Sequence, residues 1–73
     1  MEKTELERVQ NYLRRLFGNP AIRVLARPKK EDSAEVFIGE EFIAVLFLDT
    51  EDGDRSYNFQ MAILDTDLES DGL

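Results

Sequence analysis

The sequence predicts an α+β domain: an N-terminal helix packed on one face of a four-stranded antiparallel β-meander, in the order α-β-β-β-β. Three observations carry that prediction. Apolar residues recur at three- and four-residue spacing as far as Phe17. Beyond Pro20 the period changes to two. Two short glycine turns then separate alternating runs in registers that agree with each other.

The helix spans Thr4 to Phe17. Leu6, Val9, Leu13, Leu16 and Phe17 line one face, the stripe a helix buries against a sheet. Thr4 and Glu7 have the spacing of a capping box. Glu5 and Glu7 stand at the positive end of the helix dipole, and Arg14 and Arg15 near its negative end. Gly18 supplies the left-handed closing residue and Pro20 prevents resumption.

Strands follow at about 21–27 (AIRVLAR), 34–38 (AEVFI), 41–50 (EFIAVLFLDT) and 55–64 (RSYNFQMAIL), with PKKEDS as a polar loop and 65–73 as an acidic tail. All of residues 1–73 form a single domain. Gly39-Glu40 is a two-residue Gly-X turn and Asp52-Gly53 a type I′ turn. These turns set Phe37 opposite Phe42, Val36 opposite Ile43 and Leu48 opposite Tyr57. The helix-covered face is then Phe37, Phe42, Ala44, Leu46, Leu48, Tyr57, Phe59, Met61 and Ile63, extended by Ile22 and Val24.

The opposite face is expected to carry Arg23, Leu25, Arg27, Ala34, Val36, Ile38, Ile43, Val45, Phe47, Asn58, Gln60, Ala62 and Leu64. One helix cannot cover both sides of a sheet, and this second face is too apolar for one turned to water. Such patches mark interaction surfaces. The last strand, free of charge between Arg55 and Asp65, is also an edge open to pairing.

Composition excludes much chemistry. There is no cysteine and no histidine, so disulfides, thiolate ligands, thiol nucleophiles and imidazole bases are absent. A chain of 73 residues buries only about 60–65% of its unfolded surface, and a partner chain would reinforce so small a core. No apolar run approaches the roughly 18 residues of a membrane span. MEKTELERVQ lacks the apolar core of a secretion signal, so the expected location is cytoplasmic. The net charge is −7, and it is uneven. Residues 1–38 hold eight basic and six acidic side chains, whereas 39–73 hold one basic and ten acidic. That field disfavours phosphate backbones and anionic membranes.

DTEDGD (residues 49–54) packs four carboxylates around a glycine, but with Gly53 at the sixth position of a calcium loop the first and twelfth positions would be Leu48 and Phe59. Asp67 to Gly72 has the early ligand spacing without the closing glutamate. Neither is expected to bind a metal. The carboxylates lie mainly in turns and the tail; Glu35 is the exception, expected on the core side beside Ala26, pairing with a loop lysine. Tyr12, Tyr57, Ser33 and Ser56 complete the polar candidates. No phosphate loop, nucleophile elbow or zinc pattern appears. No enzyme activity, cofactor or small-molecule site is expected.

The runs NPAIRV, VFIGEEFIAVLF and DGDRSYNFQMAILD resemble a family of very small alphaproteobacterial proteins known as a domain of unknown function. The likeness runs from the ERVQNYLR helix to AILDTDL and implies a bacterial, cytoplasmic, single-domain protein without implying an activity. The expected function is therefore that of a homodimeric or partner-binding interaction module. Its contact residues are Leu25, Val36, Ile43, Val45 and Phe47, with Arg23 and Arg27 as polar anchors. The alternative is a small nucleic-acid-binding protein using Arg23, Arg27, Lys29 and Lys30. That chain order is similar in outline to double-stranded-RNA-binding domains, but their lysine-rich second helix has no counterpart in DTDLESDGL.

Overall fold

The structure, a computed structural model, describes residues 1–69. Residues 70–73, with the end of the expected acidic tail and of the Asp67–Gly72 near-match, lie outside the described residues. Helix α1 (Lys3–Phe17) precedes strands β1 (Ile22–Arg27), β2 (Lys30–Ile38), β3 (Glu41–Asp49) and β4 (Ser56–Gln60), and a short helix α2 (Asp65–Glu69) follows. The four strands form one antiparallel sheet in chain order, and α1 lies against β1. The expected α+β meander is the observed fold.

α1 begins one turn-fraction earlier than its Thr4–Glu7 spacing suggested. Glu2 is the N-cap, and its backbone N–H donates to Glu5 Oε1 at 3.3 Å. The helix closes as expected: Gly18 adopts φ 62°, and the N–H of Asn19 donates to the Arg14 carbonyl at 3.0 Å.

Two irregularities in β2 and β3 change the face assignment. Phe37 pairs with Phe42, but Val36 pairs with Ala44 and not with Ile43. Ile43 is therefore the extra residue of a β-bulge, and strict alternation breaks there. Val36 and Ala34 turn to the helix side, where both are 0% exposed, and Ile43 packs against the same core. Phe37 and Phe42 pass to the other face, as does Glu35, which pairs with Leu25 and Val45 rather than standing beside Ala26. The second irregularity lies between Ala26↔Ala34 and Arg27↔Lys30. It turns the expected loop 28–33 into a Pro28-Lys29 turn followed by the polar start of β2.

The β3–β4 register is the expected one, with Leu48 opposite Tyr57 and Leu46 opposite Phe59. The connection is longer than a two-residue turn: Asp49 pairs with Ser56, and of the loop residues only Gly53 has positive φ. The Asp49 carboxylate accepts the Glu51 N–H at 2.9 Å, folding the loop from its first residue. β4 ends at Gln60 opposite Val45, two residues short of the bulge at Ile43 on β3.

The core is Leu6, Leu13, Ile22, Val24, Ala34, Val36, Ala44 and Leu46. Each fully buried large aliphatic contributes about 1.5–3 kcal/mol, and two of these eight are alanines. Leu16 and Phe17, assigned to the buried stripe from their spacing, are 58% and 57% exposed, because α1 sits over β1 and leaves the β3–β4 half of that face uncovered.

Candidate functional site

The face opposite α1 is assembled from alternate residues of all four strands. β1 contributes Arg23 and Leu25, β2 Glu35 and Phe37, β3 Phe42, Val45 and Phe47, and β4 Asn58 and Gln60. Phe42 is 51% exposed, and Leu25 and Phe47 are exposed as well. Among the described residues no element lies over this face. Of the contact residues expected from sequence, Leu25, Val45, Phe47 and Arg23 meet here, whereas Val36 and Ile43 belong to the core.

Its aromatic end is ordered. Phe37 and Phe42 meet edge to face with centroids 5.8 Å apart, and the Arg23 guanidinium lies 5.3 Å from the Phe37 ring centre. Arg23 Nε also donates to the Gly39 carbonyl at 2.8 Å, fastening the β2–β3 turn. Arg27 Nη1 donates to the buried Ser33 Oγ at 3.3 Å. Both arginines thus have partners within the sheet. Lys29, in the first turn, and Lys30, at the start of β2, stand beside Glu31 and Asp32, with which they line a shallow pocket. The four basic residues do not form an unopposed strip.

The two sheet edges differ. On β1 the outward backbone groups are taken by α1: Gln10 Oε1 accepts the Val24 N–H at 3.0 Å, and Arg14 Nε donates to the Ile22 carbonyl at 2.8 Å. β4 has no such side-chain cover from α1 among the described residues. It is short, uncharged and without proline, which leaves it the edge more open to pairing.

A cluster that alternation did not reveal ties β4 to the start of α1. The Tyr57 hydroxyl and Arg55 Nη2 both donate to Glu5 Oε2. The Tyr57 hydrogen bond, then that of Arg55, holds the Glu5 carboxyl below its usual range, and the same carboxylate raises Arg55. Glu5 reads in sequence only as an N-terminal dipole partner; its contacts lie fifty residues away and no local pattern signals them.

Between α1 and β4 lies a groove of about 860 Å³. Leu46 and Phe59 floor it, Leu16 and Phe17 wall it, and Arg8 and Arg15 stand at its rim. The Phe17 and Phe59 rings are 6.1 Å apart. Among the described residues no group of three or more carboxylates could hold a metal ion, and no helix is long and apolar enough to cross a membrane.

No curated protein and no solved structure matches this chain. The family model described as "Protein of unknown function (DUF3126)" matches residues 5–67, and the chain belongs to that family.

Proposed function

We propose that this member of the family is a small non-catalytic interaction module that binds a protein partner on the open face of its sheet. The observation that supports this reading most is the joint exposure of Leu25, Phe42 and Phe47 on one uncovered face. An antiparallel sheet covered on one side ordinarily offers water a polar second face. Here Leu25, Phe37, Phe42, Val45 and Phe47 surround Glu35, which pairs with Leu25 and Val45, and Arg23, Asn58 and Gln60 stand at the margin, a mix of apolar contact and polar anchors that suits a protein-binding patch. Pairing of two copies belongs to the same reading, since an eight-residue core gains from any further burial.

Glu5 does not have the character of a general acid. Its carboxyl is biased toward the charged form, the reverse of the raised pKa that a general acid needs. Nucleic-acid binding has less support, because Arg23 and Arg27 are engaged within the sheet and Glu31 and Asp32 adjoin Lys29 and Lys30.

A photo-reactive phenylalanine analogue substituted for Phe47, with one at Lys3 on the helix as control, tests this in extract of the producing cell. Adducts with a defined polypeptide from position 47 and none from position 3 are expected. Equal labelling from both positions, or adducts with nucleic acid alone, would overturn the reading.

A further inference from the structure

The chain that leaves β4 and the groove beside α1 are complementary, and we propose that residues 61–69 of one copy dock in the α1–β4 groove of a second copy, reciprocally. β4 pairing stops at Gln60, so the following residues leave the sheet. Every one of residues 61–69 is exposed, Ile63, Leu64 and Leu68 among them. Among the described residues α2 buries none of its side chains, and the molecule extends 44 Å along its longest axis against 23 Å across.

This arm has structure of its own. The Leu64 N–H donates to Asp67 Oδ2 and the Asp67 N–H to the Leu64 carbonyl, both at 2.9 Å. Leu64 is thereby the N-cap of α2, and Ile63 and Leu68 occupy the two positions of a hydrophobic staple. The arm is an apolar knob flanked by Asp65 and Glu69, with no basic residue in 61–69.

The groove matches it in polarity and charge. Its volume of about 860 Å³ lies within the roughly 300–1,000 Å³ of ligand pockets. Leu16, Phe17 and Phe59 offer the apolar contact, and Arg8 and Arg15 offer the charges that Asp65 and Glu69 lack. The occupant is a second copy rather than the arm's own chain. To enter its own groove the arm must reverse beside Phe59, and residues 61–64 are Met-Ala-Ile-Leu, with none of the residues that make tight turns. Each copy has one arm and one groove, so a two-fold pair satisfies both and closes. The exchange uses neither Leu25 nor Phe47, and the open face stays free for a partner.

Solution mass by light scattering on the full chain tests this with charge reversal. The wild type should show twice the 8.4 kDa chain mass. Asp65→Arg/Glu69→Arg and Arg8→Glu/Arg15→Glu should each fall to one chain mass, with unchanged circular dichroism. Their equimolar mixture should regain the dimer, because both arm–groove contacts are again of opposite sign. Leu68→Ser, in an arm outside the core, should also be monomeric, while Val45→Asp on the open face stays dimeric. A wild type of single-chain mass at every concentration, reversed variants that remain dimeric alone, or a dimer lost only in Val45→Asp would each overturn the exchange. The last result would leave the open face as the self-interface.

Discussion

The backbone N–H of Val24, on the outer strand of the sheet, donates to Oε1 of Gln10 on the helix at 3.0 Å. One helix side chain thus blunts a strand edge that would otherwise present a free donor. Arg14 does the same for the Ile22 carbonyl. Among the described residues the opposite edge, β4, has no equivalent from α1, which leaves it the edge more open to pairing.

Replacing Gln10 with Ala removes that acceptor and should destabilise the protein by about 1 kcal/mol, lowering Tm by about 4–8 °C for a domain of this size. Gln10→Glu, which keeps an acceptor, should cost less. Thermal unfolding of the two variants beside wild type checks the order.

Glu5 makes stability depend on pH with a definite sign. Its folded pKa lies below the ordinary value, so between the two the unfolded chain binds more protons and stability rises with pH. The contribution is present above the ordinary glutamate range and is lost as pH falls through the folded value. Urea midpoints measured from neutral to acid pH should fall more steeply for wild type than for Glu5→Gln, and the curves should converge at the acid end. Added salt should narrow the neutral-pH gap, because Arg55 is half exposed.

Gly39 has φ 61°, and a Cβ there would meet nothing within 4 Å. Gly39→Ala therefore carries backbone strain without a clash, at about 1–2 kcal/mol, and Gly39→Asn should be milder. Urea denaturation of the pair separates strain from crowding.

The bulge reverses two assignments, and substitution distinguishes them. Val36→Asp puts an unpaired charge at a position 0% exposed, a cost of ~3–5 kcal/mol against a total stability of roughly 4–11 kcal/mol for 73 residues. Ile43→Lys strikes the same core from its margin. Leu46→Ala should cost about 2–5 kcal/mol. Urea denaturation should show Val36→Asp with a far lower midpoint than wild type.

Much of this was legible in sequence: α1 and its Gly18 closure, the strand order, the Gly39-Glu40 turn and the β3–β4 register. Each rests on a local pattern that tertiary contacts did not override. The bulge was not legible, because Phe42-Ile43-Ala44 is as apolar as an alternating strand and nothing local marks the inserted residue. From that one residue followed the misassigned faces of Phe37, Phe42, Val36 and Glu35. The start of β2 was hidden because KKEDS is polar like a loop, though Lys30 pairs with Arg27. α2 is too short to show a helical period. Of the candidate surface, Arg23, Leu25, Val45 and Phe47 were found by alternation from Ile22 and from Leu46.

Val45 lies at the centre of the open face, paired with Glu35 on one side and Gln60 on the other. The most direct test of that face as the binding surface is the retention of co-purifying protein by a Val45→Asp chain, compared with wild type at matched urea midpoints. An unfolding free energy within about 0.5 kcal/mol of wild type, the scale of an ordinary surface change, together with loss of the retained protein is the predicted result. Unchanged retention by a folded Val45→Asp chain, or a chain that fails to fold, would contradict it.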